Sequence, residues 1–173
     1  MVLTGGVSIQ DQRQAHVYRT FFSKLWLRLP GSVRRWTMRF SNTKFTVTTG
    51  ALVFNDRGEV LLLKHAFRAG SGWGVPGGFM ERGEQPDETL RRELMEEVGI
   101  EVTDVQVFNA RSFKRPRQVE IVFICRSNGD AKPMSLEVER AEWFRPDALP
   151  EGLARDQKKL IEAALSNGAN HRD

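Results

Sequence analysis

Stretches of strand-like and helical periodicity follow one another along the chain and predict a mixed structure. Residues 44–54 (KFTVTTGALVF) and 59–65 (EVLLLKH) are rich in β-branched, aliphatic and aromatic side chains, and the turn-forming Asn55-Asp56-Arg57-Gly58 lies between them. These two runs predict strands joined as a hairpin. Three further strands and a closing helix are predicted at residues 100–113, 117–126, 139–145 and 153–166. This order is typical of an α/β protein.

A central helix is predicted to begin at Pro86, which suits a first helical turn, and to end at Gly99, which suits a C-terminal cap. Asp87 and Glu88 complement the positive end of its dipole. A glycine-dense loop, residues 68–84 (RAGSGWGVPGGFMERGE), leads into this helix. Its predicted apolar stripe consists of Leu90, Leu94 and Val98.

Three glutamates, Glu93, Glu96 and Glu97, fall within about a third of the circumference of this helix. One interpretation is a solvated acidic face with ion pairs one turn apart. The pairs available are Asp87–Arg91 and Glu88–Arg92. They would occupy the arginines, so the adjacent carboxylates would repel one another unless a cation joins them. Oxygen ligands without a neighbouring cysteine or histidine suit Mg²⁺ or Mn²⁺ rather than zinc.

The loop before the helix extends this pattern into a specific motif. Gly77-Gly78 allows close backbone approach and leaves a carbonyl to act as a further ligand. Residues 78–100 resemble the Nudix box at every fixed position, and WGVPGG just before it resembles the usual lead-in of that family. The matching positions are Gly78, Glu84, Arg92, Glu93, Leu94, Glu96, Glu97, Gly99 and Ile100.

The resemblance implies an α/β/α sandwich with a central mixed β-sheet. It also implies that water attacks a phosphorus of a pyrophosphate with the help of Mg²⁺ or Mn²⁺. Arg92 would orient Glu93, and Glu84 would help to fix the loop. The implied metal ligands are the Gly78 carbonyl and the carboxylates of Glu93, Glu96 and Glu97.

The general base in this family is either a box glutamate or a glutamate from a later loop. Outside the box the first candidate is Glu120, followed by Glu137 and Glu139. For each of them the alternative is an ordinary exposed glutamate of a strand or loop. His65 follows a predicted strand and could touch a phosphate, although a lone histidine is more often incidental.

Substrate recognition is expected outside the box. The basic side chains around the turn before Glu120 could meet substrate phosphates, or they could simply form a basic turn. Trp73 and Phe79 flank the glycine loop and could stack on a base or pack in the core. The candidate substrate-binding residues are Arg68, Trp73, Arg111, Lys114, Arg115 and Arg117.

Charge divides the chain unevenly. Residues 1–45 hold eight Lys or Arg and one acidic residue, which is a net charge of +7. The remaining residues carry −3, so the total net charge is +4. Apolar residues recur at helical spacing from Tyr18 to Leu29, which predicts a basic amphipathic helix. Its large aromatic side chains favour packing against the body or a homodimer through this helix, while nucleic acid and an anionic membrane surface are weaker alternatives.

The length of 173 residues fits one domain with an appendage. We expect a tail and helical extension in residues 1–44, the Nudix domain in 45–168 and a short tail in 169–173. Cys125 is the only cysteine and no secretory pattern is seen, so a reducing, cytoplasmic setting is expected.

The expected function is metal-dependent hydrolysis of the pyrophosphate bond of a nucleoside diphosphate linked to another moiety, such as ADP-ribose, a nucleotide sugar or a CDP-alcohol. Pro116 stands 16 residues beyond Ile100, a spacing that resembles ADP-ribose pyrophosphatases, although a proline in a turn explains it as well. The signatures of dinucleoside polyphosphate hydrolases and of the NADH-cleaving branch are not apparent. Alternatives are hydrolysis of normal or oxidised nucleoside triphosphates with release of pyrophosphate, removal of a 5′ pyrophosphate from RNA, and a non-catalytic nucleotide-sensing or RNA-binding module.

Overall fold

The computed structural model describes residues 30, 33, 44–67 and 70–168. The predicted N-terminal helix, Arg68 and the predicted tail at 169–173 lie outside the described residues. Among the described residues, no helix has the length and apolar character required to cross a bilayer. The strands and helices there are β1 Thr46–Phe54, β2 Val60–His65, β3 Trp73–Gly74, α1 Pro86–Val98, β4 Thr103–Phe113, β5 Gln118–Arg126, β6 Val138–Phe144 and α2 Arg155–Ser166.

The strands form one mixed sheet in the order β3-β2-β1-β5-β4, with β6 paired to β2. β1 and β5 run parallel from Thr46↔Gln118 to Phe54↔Arg126, whereas the other pairs are antiparallel. The central strand β1 is buried on both faces from Thr48 onward, which explains its nearly continuous apolar sequence.

The predicted hairpin of β1 and β2 forms only at its turn. The two strands pair at Phe54↔Val60, and the Asn55 side chain accepts backbone hydrogen bonds from Arg57 and Glu59. Toward the start of β1, the segment that follows β3 pairs with β1 in place of β2. Backbone hydrogen bonds of 2.9 to 3.0 Å join β1 to Pro76, Gly78 and Met80. Much of the loop predicted at 68–84 is therefore extended chain lying along β1.

A helix covers each face of the sheet. Leu90, Leu94 and Val98 of α1 pack with Ala51, Val53 and Phe123 on one face. Leu160, Ile161 and Ala164 of α2 pack with Leu52, Phe54 and Val122 on the other. Alternate residues of β1 thus face different helices, as the period of a strand requires. The described residues form the three-layer sandwich that the sequence predicts.

Candidate active site

Helix α1 has the boundaries that the sequence predicts. Pro86 opens the helix, and a capping box with Gln85 leaves the Glu88 carboxylate accepting a 2.9 Å hydrogen bond from the Gln85 backbone N–H. Gly99 ends it at φ 68°, a left-handed conformation that glycine adopts without strain. The buried residues of α1 include the Leu90, Leu94 and Val98 stripe, and the three glutamates flank that stripe.

The two glycines before α1 bring backbone against both β1 and the helix. The Gly78 carbonyl accepts a 2.9 Å hydrogen bond from the Thr49 backbone N–H, which leaves a second lone pair on that oxygen. A Cβ on Gly78 would lie 2.2 Å from Cδ of Glu93, and a Cβ on Gly77 would lie 2.1 Å from the Thr49 carbonyl oxygen. No larger residue fits either position without displacement of a neighbour.

Arg92 connects the loop to the glutamates. Its guanidinium donates to Glu84 at 2.7 Å, to Glu93 at 3.0 Å and to Glu96 at 3.1 Å. A further hydrogen bond of 3.1 Å reaches the Phe79 carbonyl. Arg92 therefore contacts Glu93 and Glu84, the residues that the resemblance associates with it.

The Asp87–Arg91 and Glu88–Arg92 pairs of the solvated-face interpretation do not form among the described residues, and the ion pair one turn apart that does form joins Arg92 to Glu96. Arg92 turns toward Glu84, and the Glu88 carboxylate caps the helix. Arg91 donates a 2.7 Å hydrogen bond to the Val102 carbonyl. Tertiary partners compete with pairs inside the helix, which are worth only about 0.2–0.5 kcal/mol each.

This network shifts the pKa values of its members. The Arg92 hydrogen bond lowers the pKa of Glu84 to about 2, and Glu84 in turn raises the pKa of the guanidinium. Burial raises the pKa of Glu93 despite its contact with Arg92. Arg92 thus keeps Glu84 charged, while the surroundings of Glu93 disfavour an isolated negative charge.

Glu97 is the most buried of the three glutamates, at 7% exposure. Its carboxylate accepts a 3.3 Å hydrogen bond from the Gly77 backbone N–H. The other oxygen lies 3.9 Å from Nδ1 of His65 at the end of β2. Sequence spacing could not connect His65 with Glu97, because the two residues are 32 positions apart and only the fold brings them together.

Among the described residues, no three His, Cys, Asp or Glu side chains converge closely enough to hold a metal ion. The contacts above give the reason, since Glu93 and Glu96 point to Arg92 and Glu97 points to Gly77. The chemistry of the set nevertheless fits a hard divalent cation, because every donor is a carboxylate or carbonyl oxygen. Because Gly78 has no side chain, its backbone also lies directly against the Glu93 carboxylate.

These groups line one cavity of about 670 Å³, which we call the glutamate cavity. Glu93, Glu96, Glu97, Gly78 and Arg92 all contribute to its wall. Residues other than the matched box positions complete the wall, and of these the sequence analysis did not single out Met80, Glu81, Ser135 and Leu136. The full set of these other residues is His65, Gly77, Phe79, Met80, Glu81, Ser135, Leu136 and Glu137.

A second cavity of about 390 Å³, which we call the aromatic cavity, lies between the sheet and the start of α2. Trp73 and Phe113 provide its rings, and Trp73 also meets Phe144 edge-on at 5.1 Å. Arg111 forms ion pairs there with Glu120 and with Asp156, the latter at 2.9 Å. The Gln157 side chain accepts a 2.9 Å hydrogen bond from the Val75 backbone N–H.

Glu120 belongs to the aromatic cavity and not to the glutamate cavity. It stands two residues before Val122 on β5, so it faces α2, whereas the box glutamates lie on α1. The structure therefore separates Glu120 from the other candidate catalytic residues. Glu137 lines the glutamate cavity, while Glu139 pairs with Lys64 at 3.0 Å.

The basic turn joins β4 to β5 at the edge of the aromatic cavity. Lys114, Arg115 and Arg117 are exposed, and Pro116 between them lines the cavity after a cis peptide bond. Asp156 and Gln157, at the start of α2, are further cavity residues that the sequence reasoning missed. Only the charge of Asp156, opposite to that of Arg111, offered a signal.

A mixed sheet between two helices, with a glycine loop against a glutamate-bearing helix, is the α/β/α arrangement that the sequence resemblance implied. The model of the NUDIX domain family matches residues 44–164. The chain belongs to the Nudix family.

Similar proteins differ in their described activities. The NAD-capped RNA hydrolase NudC of Chromobacterium violaceum is 34% identical over 106 residues, which are 60% of this chain and 40% of that protein. The 8-oxo-dGDP phosphatase NUDT18 of Danio rerio is 33% identical over 127 residues, or 70% of this chain and 38% of that protein. The chain thus spans about two fifths of the length of these relatives.

The fold also matches solved structures. The MutT NUDIX hydrolase of Burkholderia pseudomallei has a TM-score of 0.62 and 25% identity, and the match covers 69% of this chain and 98% of that one.

Proposed function

We propose that this protein hydrolyses the pyrophosphate bond of a nucleoside diphosphate linked to another moiety, with Mg²⁺ or Mn²⁺ as cofactor. The observation that carries the proposal is the glutamate cavity, whose wall contains Gly78 together with the three glutamates of α1. Two named relatives act on phosphoanhydride-containing nucleotides, which supports the same class of substrate for this chain.

Each residue of the glutamate cavity has a role in this proposal. The Gly78 carbonyl and the carboxylates of Glu93, Glu96 and Glu97 would hold the cation. When bound, a divalent cation neutralises pyrophosphate charge and makes a water molecule more acidic. Arg92 holds Glu93 and Glu96 in place until the cation and substrate arrive, and Glu84 holds Arg92. One of the box glutamates then accepts the proton of the attacking water.

The aromatic cavity would hold the nucleoside. Trp73 and Phe113 offer ring faces for a base, and Glu120, Asp156 and Gln157 offer polar groups for its edge. Glu120 would then serve in recognition, since the sheet separates it from the glutamates of α1. Lys114, Arg115 and Arg117, exposed at the edge of this cavity, would attract the phosphates.

The second candidate is hydrolysis of nucleoside triphosphates, including oxidised ones, with release of pyrophosphate. The similarity to NUDT18 favours it, because that relative is named for an oxidised nucleotide. A non-catalytic sensing or RNA-binding module is disfavoured by the complete box. A cytoplasmic location and a homodimer formed through residues 1–44 remain predictions.

The proposal is tested by Mg²⁺-dependent hydrolysis of a substrate panel, with products separated by chromatography. The panel contains ADP-ribose, a nucleotide sugar, CDP-choline, NADH, nucleoside triphosphates, an oxidised nucleotide and a 5′-triphosphate RNA. We expect Glu97→Gln to lower kcat by at least about 100-fold, because a misplaced catalytic group has effects of that order. Glu101→Gln changes an exposed glutamate just beyond the cap of α1, so it is the matched control and should retain activity.

The products distinguish the candidates. Two monophosphate products would support the diphosphate-linked class, and release of pyrophosphate would support the triphosphate class. Wild-type protein that binds these nucleotides yet cleaves none of them would contradict the enzymatic proposal.

A further inference from the structure

The mouth of the glutamate cavity exposes two apolar side chains. Phe79 is 63% exposed and Leu136 is 98% exposed, and both line the cavity with the box glutamates. They come from separate parts of the chain, the segment along β1 and the connection from β5 to β6. Isolated exposed apolar residues are common, but two at the mouth of one cavity form an apolar surface for a ligand.

Two further carboxylates stand at this mouth. Glu81 and Glu137 line the same cavity, and neither forms an ion pair with another described residue. Arg92 is the only Lys or Arg in the described lining, and its guanidinium already contacts three carboxylates. Neither Glu81 nor Glu137 belongs to the proposed cation-binding set, so occupancy of that set leaves both side chains available to a ligand.

We propose that this mouth recognises the second moiety of the substrate, the one that is not the nucleoside, as an organic cation with an apolar face. Phe79 and Leu136 contact that face, and Glu81 and Glu137 balance the charge. Aromatic rings and carboxylates attract such a cation, while the same carboxylates repel an anionic moiety. This inference rests on the proposed hydrolysis and narrows its substrate class. A pyridinium ring and a quaternary ammonium group share the required chemistry.

The experiment compares substrates that differ in charge but hardly in shape. NAD⁺ and NADH provide the pyridinium pair, and CDP-choline and its 3,3-dimethylbutyl carbon isostere provide the ammonium pair. In at least one pair, kcat/KM of wild-type protein should be about two- to fivefold higher for the cation, the range expected of an exposed cation–aromatic contact. Glu137→Gln and Phe79→Leu should bring that ratio close to one.

Matched controls separate recognition from general damage. Glu101→Gln and Val107→Ala change exposed residues outside the glutamate cavity, and both should keep the wild-type ratio. Thermal unfolding of every variant checks the fold. The ratio itself is insensitive to the fraction of active enzyme, because each pair is measured on one preparation.

The outcomes decide between the two levels of the proposal. A preference in one pair alone supports the inference and identifies the source of the cation. Cleavage of the panel without a preference, or a preference that survives both variants, overturns the inference and leaves the proposed function standing. Failure of wild-type protein to cleave any pyrophosphate overturns both.

Discussion

Gly78 and Arg92 decide the shape of the glutamate cavity at the scale of single residues. The glycine lets backbone approach the Glu93 carboxylate, where a side chain would collide. The arginine contacts Glu84, Glu93 and Glu96 together, so its positive charge reduces the repulsion among these carboxylates. The shape of the site therefore depends on the absence of a side chain at Gly78 and on the guanidinium of Arg92, which three carboxylates share.

Gly78→Ala should displace Glu93 and lower kcat by roughly 100-fold, because small errors in catalytic position have effects of this size. The added Cβ would lie 2.2 Å from Cδ of Glu93. Gly83→Ala is the control in the same loop, since its Cβ would meet no atom within 4 Å although its φ is 99°. Steady-state kinetics should show a much smaller loss for Gly83→Ala. Equal losses would show that the loop tolerates no substitution and would contradict a specific role for the contact between Gly78 and Glu93.

Glu84→Gln should destabilise the protein in a pH-dependent way. The hydrogen bond from Arg92 lowers the pKa of Glu84 to about 2 from its ordinary value of 4.5. A lowered pKa stabilises the fold above the unfolded value of 4.5, and that stabilisation is lost as the pH falls toward 2. Urea unfolding should show the largest difference from wild type near neutral pH and a shrinking one between pH 4.5 and 2. A difference independent of pH would exclude charge as the cause.

Helix α1 serves two purposes at the scale of the element. One stripe fills the core beneath the sheet, and the neighbouring surface presents the glutamates to the cavity. The two surfaces follow from one helical period, so the position of every glutamate depends on how the stripe packs.

Leu94→Ala should lower the free energy of unfolding by about 2–5 kcal/mol, because it removes a fully buried side chain and leaves a cavity. Leu94 is 0% exposed, whereas its neighbour Met95 is 43% exposed. Met95→Ala on the same helix is the matched control and should change stability by less than about 1 kcal/mol. Chemical denaturation measures both variants. A Leu94→Ala loss no larger than that of Met95→Ala would contradict this packing.

At the scale of the whole described domain, the sheet divides the two cavities between its faces. Near the aromatic cavity, Arg111 of β4 connects the sheet to α2. It forms ion pairs with Glu120 on β5 and with Asp156 on α2.

Arg111→Met should leave the carboxylate of Glu120 without its partner. The Glu120 side chain is only 16% exposed, and loss of a partner for such a group costs about 1–3 kcal/mol. We expect that drop in unfolding free energy and a higher KM with a smaller effect on kcat. Arg155→Met, an exposed arginine of α2, is the control and should change neither. A kcat effect larger than the KM effect would place Arg111 in the chemical step.

The order of strands and helices followed from the sequence because each element carries its own period and end signals. Pro86, Gly99 and the stripe between them predicted α1 correctly. The hairpin prediction held only at its turn, because β1 pairs with the segment after β3. The sequence cannot show which of two compatible extended segments will pair with a central strand.

By itself, the sequence determined the family motif, the helix with its glutamates and the α/β class, since all of these depend on local spacing. Tertiary structure alone placed His65 beside Glu97, moved Arg92 from Glu88 to Glu84 and put Glu120 on the opposite face. The reason is physical: spacing fixes which residues share an element, whereas pairing and packing between distant segments fix which side chains meet.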